Sequence, residues 1–135
     1  MSVEKIVPSV SGALAPFFDA AKEGQLVVQR CLSCGTLRFP ARGVCMSCLG
    51  EESDWTPVSG RGEVYSFFWM HQVYHPALAG EVPYAVVVVR LEEGPHMTTN
   101  ILDCSKEELR IGLPVEVVFE ERGDVRLPQF RPQRA

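Results

Sequence analysis

Four of the five cysteines form two pairs with the spacing of metal ligands. Cys31 and Cys34 form the first Cys-x-x-Cys pair, and Cys45 and Cys48 form the second after ten intervening residues. Each pair can form a tight knuckle, and Gly35 suits such a turn because glycine tolerates positive φ. Two knuckles at this distance can close on one tetrahedral metal ion, which predicts a zinc ribbon.

Other readings of the four cysteines are buried free thiols, two disulfides, a redox pair or a catalytic metal. Two pairs in register favour a metal, and four thiolates leave no open coordination position for water or substrate. Rubredoxin-type iron is the main competing metal. We therefore expect one structural zinc ion per chain. The remaining thiol, Cys104, is expected to be a small packing residue.

Composition and charge exclude several classes of partner. The chain carries 13 basic and 17 acidic residues, for a net charge of −4 and a pI near 5.4. This balance is unfavourable for binding nucleic acid or an anionic membrane. No apolar run approaches the roughly 20 residues that span a bilayer, and the N-terminus lacks the pattern of a signal peptide. We expect a cytoplasmic protein, where paired cysteines bind metals more often than they form disulfides.

The first half of the chain divides into a leading segment, residues 1–24, and the ribbon, residues 25–54. A short helix is predicted over residues 15–23, since Pro16 suits a first turn and Gly24 a C-terminal stop. A strand over residues 25–30 then leads into the first knuckle.

Residues 55–135 contain a series of predicted strands separated by glycine and proline, a pattern that is typical of a small β domain. Strands are predicted over residues 63–71, 84–91, 96–101, 114–120 and 125–127, and a capping box, Ser105 to Glu108, predicts one or two helical turns. In the first strand, the alternation places Val64, Ser66, Phe68 and Met70 on one face and Tyr65, Phe67 and Trp69 on the other. Three strands, a short helix and two strands is the order of a five-stranded OB barrel. Periodicity alone supports a small barrel or sandwich.

The sequence shows no catalytic centre of its own. A hydrolase or transferase would need a nucleophile beside a base, or an open metal site. His71, His75 and His96 have no paired group in the sequence to tune them, and Cys104 has no local histidine.

The ordered set of motifs resembles a known family, the zinc-ribbon plus OB-fold proteins that accompany acyl-CoA enzymes and are classed as a domain of unknown function. The resemblance covers residues 17–132. It rests on the four cysteines, Phe17-Phe18, Phe39-Pro40 with Arg42, Gly62-Glu63-Val64, Pro83-Tyr84, Leu91-Glu92-Glu93-Gly94, Gly112 with Pro114-Val115, and Leu127-Pro128-Gln129-Phe130-Arg131-Pro132. It implies a mainly β protein with an N-terminal helix, a rubredoxin-like zinc ribbon and a C-terminal OB barrel.

The resemblance also implies a hetero-oligomer. Such chains bind a thiolase-like subunit of thiolases, acyltransferases, hydroxymethylglutaryl-CoA synthase complexes or side-chain aldolases, and the catalytic residues generally lie on that subunit. We therefore expect a noncatalytic accessory subunit.

A surface that binds CoA or acyl-CoA is a further expectation. CoA needs basic groups for its phosphates and an aromatic or apolar wall. Residues of these types lie near the predicted junction of ribbon and barrel: Arg38, Phe39, Arg42, Trp55, Arg61 and Tyr65. The alternative is that these arginines are solvated and the aromatics belong to the core.

Two segments are candidates for docking the partner: the loop at residues 71–83 and the tail at residues 127–134, with Tyr74 and Phe130 as anchors.

The competing hypothesis is a single-stranded nucleic-acid binder in which Tyr65, Phe67 and Trp69 stack on bases. Acidic strand residues disfavour it: Glu63, Glu92, Glu93, Glu116, Glu120 and Glu121.

Overall fold

The computed structural model describes residues 7–9 and 12–134. A short 3-10 turn, Gly12–Leu14, leads into helix α1, Ala15–Lys22. Pro16 lies in the first helical turn, where its missing N–H leaves no hydrogen bond unmade. Gly24 follows the helix with φ of +77°, the left-handed conformation that ends many helices. The predicted helix is confirmed. It buries Phe17, Phe18 and Ala21, and it is too short to cross a membrane, as is every other helix in these ranges.

The ribbon is a three-stranded antiparallel sheet. Its strands are β1, Val27–Cys31, β2, Leu37–Arg38, and β3, Ser53–Pro57, in the spatial order β2-β1-β3. The last residue of β1 is Cys31, so the central strand carries the chain directly into the first knuckle.

The second sheet has five strands: β4, Arg61–Met70, β5, Tyr84–Leu91, β6, His96–Asn100, β7, Pro114–Arg122, and β8, Val125–Pro132. All of its pairings are antiparallel, in the order β6-β5-β4-β7-β8. The two edges approach each other where Ile101 bridges to Phe130 and the Leu102 N–H donates to the Phe130 carbonyl at 2.7 Å. The sheet is therefore a nearly closed barrel, which confirms the predicted OB fold.

The predicted tail belongs to the barrel. Strand β8 continues through Phe130, which is fully buried opposite Val117. The prediction of Phe130 as an exposed docking anchor is therefore wrong. The prolines that suggested an extended tail, Pro128 and Pro132, are tolerated because β8 is an edge strand, where a missing N–H need not interrupt a ladder.

The alternation predicted for β4 is also wrong. A β-bulge between Val64 and Ser66 shifts the register, so two successive residues, Tyr65 and Ser66, are exposed. Beyond the bulge, Phe67 and Trp69 pack against the core that Val64 joins, and Phe68 is exposed. Only Tyr65 of the three aromatics suggested for base stacking is an exposed side chain, which weakens the nucleic-acid hypothesis.

The capping box forms one turn, the shorter of the two predicted lengths. The Leu109 N–H donates to the Ser105 carbonyl at 3.1 Å, and the Glu108 N–H donates to Ser105 Oγ at 3.1 Å. This Ser105 cap is therefore satisfied without a continuing helix.

One hydrophobic core runs through α1, the ribbon and the barrel. The Phe17 ring lies 5.5 Å from that of Phe39 and 6.2 Å from that of Trp55, measured between centroids. On the barrel side, Arg126 Nη1 donates to the Lys22 carbonyl at 3.0 Å. Helix α1 therefore fixes the ribbon against strand β8.

Candidate metal centre and adjacent hollow

The two knuckles have the same local geometry. In the first, the Gly35 N–H donates to the Cys31 carbonyl at 2.9 Å, and in the second the Leu49 N–H donates to the Cys45 carbonyl at 2.9 Å. The residue after each second cysteine has positive φ, +79° at Gly35 and +63° at Leu49. The second pair is followed by leucine where the first is followed by glycine. Leu49 therefore adopts a conformation that glycine would adopt more easily.

The knuckles bring the four thiols together. All four Sγ atoms lie within 4.8 Å of one another, with 3.6 Å between those of Cys31 and Cys48 and 3.7 Å between those of Cys34 and Cys45. A tetrahedral zinc ion with bonds of about 2.3 Å to sulfur has sulfur–sulfur edges of about 3.8 Å. The donor set and its spacing therefore fit one tetrahedral ion, and all four cysteines are free thiols.

The surrounding backbone favours thiolates at the two buried cysteines. The amides of Cys34 and Ser33 lower the pKa of Cys31 to about 6. The amides of Cys48 and Ser47 lower the pKa of Cys45, and the Ser47 N–H lies 3.4 Å from Cys45 Sγ. Thiolate is the form that binds a metal.

The fourth thiol shows why a cation is needed. The Gly50 amide lowers the pKa of Cys48, but the neighbouring Cys31 and Cys34 sulfurs and burial outweigh it, and the pKa rises to about 12. Four adjacent thiolates repel one another, so the full set of charges requires a metal ion between them.

Three of the six residues predicted to bind CoA lie together. Arg38, Phe39 and Arg42 line a hollow of about 240 Å³ beside the second knuckle, whose other lining residues are Thr36, Leu37, Cys45, Met46, Ser47 and Pro95. Pro95 comes from the turn between β5 and β6, so the hollow lies where the ribbon meets the barrel.

The other three predicted residues lie elsewhere. Trp55 packs against the core, as the alternative interpretation proposed for the aromatics. Arg61 forms an ion pair with Glu92 at 3.4 Å. Tyr65 is exposed on the barrel and stacks on His96, with ring centroids 4.4 Å apart.

Sequence reasoning missed Gln29, which organises the floor of this region. The buried Gln29 side chain accepts hydrogen bonds at 2.8 Å from both Arg38 Nε and the Arg42 backbone N–H. A glutamine in a β-rich strand gives no sequence signal for such a role, because its partners are fixed only when β2 pairs with β1.

The predicted docking loop retains an exposed aromatic. Tyr74 is 69% exposed and Val73 is 45% exposed. The loop contains a 3-10 turn, Pro76–Leu78, whose Ala77 N–H donates to His75 Nδ1 at 3.1 Å. A second exposed apolar cluster covers the tip of the ribbon and comprises Leu32, Val44, Met46 and Leu49.

Two family models match consecutive parts of the chain. Residues 18–54 match the ChsH2 rubredoxin-like zinc ribbon domain, and residues 55–120 match the ChsH2 C-terminal OB-fold domain. The chain is 38% identical over 126 residues to a probable enoyl-CoA hydratase alpha subunit of Thermomonospora curvata, a match that covers 93% of this chain and 39% of that protein. This chain therefore spans well under half the length of that relative.

Other relatives match over different shares of their length. A DUF35 domain-containing scaffold protein of Methanocaldococcus jannaschii is 38% identical over 103 residues, which cover 73% of this chain and 72% of that protein. The benzoylsuccinyl-CoA thiolase subunit BbsA of Thauera aromatica is 53% identical over 38 residues, 28% of this chain and 26% of that protein. Among solved structures, the Ltp2-ChsH2(DUF35) aldolase contains a chain of 38% identity that superimposes with a TM-score of 0.82, covering 93% of this chain and 98% of that chain.

Proposed function

The chain belongs to the DUF35 family of zinc-ribbon and OB-fold proteins, and from this premise we propose that it is a noncatalytic scaffold subunit of a thiolase-like enzyme that acts on acyl-CoA. The observation that carries the proposal is the match to the Ltp2-ChsH2(DUF35) aldolase, because it covers nearly all of both chains, ribbon and barrel together. The name of a relative that matches over 38 residues, benzoylsuccinyl-CoA thiolase subunit BbsA, points to the same class of partner.

The positions of the reactive side chains support a noncatalytic role. His75 accepts the hydrogen bond that caps its own loop, and His96 stacks on Tyr65. Burial is the main cause that raises the pKa of Cys104, which disfavours its nucleophilic thiolate. A thiolase-like partner would therefore supply the nucleophile and the acid–base groups.

The metal in this proposal is one structural zinc ion held by Cys31, Cys34, Cys45 and Cys48. Four thiolate ligands complete a tetrahedral shell, so the ion stabilises the two knuckles and takes no part in chemistry. Their convergence within 4.8 Å supports this ligand set.

Docking is proposed to use the loop at residues 71–83, with Tyr74 as its anchor. Large exposed aromatics are unfavourable to leave in water, and they dominate the energetics of many interfaces. The ribbon tip, with Met46 and Leu49 each 73% exposed, is the second candidate surface now that Phe130 is known to be buried.

Direct contact with CoA is proposed at the hollow lined by Arg38, Phe39 and Arg42. It combines two guanidinium groups with an aromatic wall, which suits a phosphate and its neighbouring apolar group. A volume of about 240 Å³ accommodates a part of CoA and leaves the remainder for the partner.

The proposal is tested by purification of the tagged chain together with a co-expressed thiolase-like subunit. We expect a stable hetero-oligomer in which Tyr74→Ala reduces recovery of the partner. A matched control is Tyr84→Ala on strand β5, outside the loop, provided that the variant stays folded. Failure of the tagged wild-type chain to retain any thiolase-like subunit would contradict the scaffold role.

A further inference from the structure

Arg38 is a buried cation that has no carboxylate partner in the part of the chain that the structure describes. Its side chain is 92% shielded, since the residue is 8% exposed, and among residues 7–9 and 12–134 it forms no ion pair with a carboxylate. Burial of a charge is costly unless it is paired and hydrogen-bonded. Arg30, a ribbon arginine on the neighbouring strand β1, follows the usual rule, since it is exposed and paired with Asp54 at 3.0 Å.

The hydrogen bonds of Arg38 leave part of its guanidinium unused. Nε donates to Gln29 Oε1 at 2.8 Å, and Nη2 donates to the Arg42 carbonyl at 2.9 Å. Both acceptors are neutral. Nη1 is buried and has no acceptor within the described part of the chain. The positive charge is thus held in place by neutral acceptors, and among the residues that line the hollow the one anionic group is the Cys45 sulfur, whose charge a bound zinc ion would offset.

A second guanidinium lies at the same hollow. Arg42 is exposed, and the contacts that fix its position are made by its backbone, through the N–H to Gln29 and the carbonyl to Arg38. Its side chain is therefore free of those contacts and can turn towards an anion. Thr36 and Ser47 also line the hollow, although the Thr36 hydroxyl already lies 3.0 Å from Cys34 Sγ. Phe39 and Pro95 give the hollow a half-buried apolar wall, which reduces the screening of the charges by water on that side.

We propose that this hollow binds a phosphate group of CoA, either the 3′-phosphate or the diphosphate, and that Arg38 supplies a fixed buried charge while Arg42 supplies the mobile contact. The inference rests on the CoA contact proposed above and deepens it, since it names the part of the ligand that the ribbon holds. Arginine suits this role because its planar guanidinium binds phosphate oxygens in pairs and stays charged.

Binding titrations of the zinc-loaded chain test the site. The probes are pyrophosphate, CoA and 3′-dephospho-CoA, and the variants are Arg42→Gln and Arg110→Gln. Arg110 is an exposed arginine on the barrel, so its replacement removes the same charge at a distance. We expect Arg42→Gln to weaken phosphate binding about tenfold, which corresponds to about 1.4 kcal/mol, and Arg110→Gln to leave it unchanged.

The two CoA probes identify the bound group. If only CoA loses affinity in Arg42→Gln, the site holds the 3′-phosphate, and if 3′-dephospho-CoA and pyrophosphate lose affinity as well, it holds the diphosphate. Either pattern supports the site. Equal affinity in wild type and Arg42→Gln, or no phosphate binding by the wild-type chain, would overturn it.

A second variant tests the buried charge. Arg38→Gln removes the cation while keeping a hydrogen-bonding side chain, and its zinc content reports whether the ribbon stays folded. A folded Arg38→Gln that binds pyrophosphate as tightly as wild type would also overturn the inference. Co-purification of Arg42→Gln with the thiolase-like subunit separates the two proposals, because failure of the phosphate site leaves the scaffold role intact.

Discussion

Replacement of one buried cysteine should remove the metal and unfold the ribbon. Cys45→Ser is the sharpest change, because Cys45 is 1% exposed and its sulfur lies 3.7 Å from that of Cys34. The knuckles have little else to hold them. Strand β2 has two residues, and its pairing with β1 consists of Gln29 with Arg38 and Arg30 with Leu37.

The expected loss of folding free energy is large because few other contacts hold the knuckles. Structural zinc contributes on the order of 10 kcal/mol in small zinc domains. A whole domain is stable by about 5–15 kcal/mol, so loss of the ion exceeds what one two-residue strand and a few turns can replace. The ribbon, including the pairing of β3 with β1, should therefore become disordered, whereas the barrel retains its own sheet and most of its core.

Two measurements check this expectation. Elemental analysis should find one zinc ion per wild-type chain and almost none in Cys45→Ser. The two tryptophans separate the units, since Trp55 lies on β3 and Trp69 on β4. In a Trp69→Phe background, the fluorescence of Trp55 should report that the ribbon of Cys45→Ser is lost at a lower temperature than the ribbon with all four cysteines.

Cys104→Ser is the matched control, since that thiol lies outside the cluster of four. It should keep its zinc and its melting temperature. Full zinc occupancy and an unchanged Trp55 transition in Cys45→Ser would refute the assignment of these ligands.

Other predictions concern the barrel. Phe130→Ala should destabilise the chain by about 3–5 kcal/mol in denaturant unfolding, because it removes a fully buried ring, whereas Tyr74→Ala should change stability little; similar losses in both would contradict the assigned burial. The hydrogen bond from Arg134 lowers the pKa of Glu108, so its stabilising effect is present above the unfolded pKa of about 4.3 and lost as the pH falls through the lower folded value. The stability difference between wild type and Glu108→Gln should therefore shrink below about pH 4, and an equal pH dependence in the control Glu107→Gln would count against this pairing.

Much of the fold could be predicted because local signals and tertiary packing agree. Strand β5, Tyr84–Leu91, has the predicted bounds, since its valines suit a strand buried in the middle of a sheet. The cysteine spacing likewise predicts convergence, because a knuckle is a local structure whose geometry repeats.

The wrong predictions concern residues whose burial depends on their position in the sheet. The bulge between Val64 and Ser66 reverses the faces of β4, and the nearest glycine, Gly62, lies outside it and does not mark its position. The prolines near Phe130 suggested an exposed tail, but at an edge strand they are compatible with pairing. The buried charge of Arg38 depends on Gln29, which lies on another strand, so residue type alone could not separate it from the exposed Arg42.

The most direct test of the scaffold role is the turnover of acyl-CoA substrates by the chain alone, by the purified thiolase-like subunit alone and by the two together. We expect no thiolysis, acyl transfer or retro-aldol cleavage by this chain alone, and activity when the thiolase-like subunit is added. Turnover by the rigorously purified single chain would contradict the scaffold role. So would a thiolase-like subunit that is fully active alone, does not bind this chain and has the same activity when this chain is added.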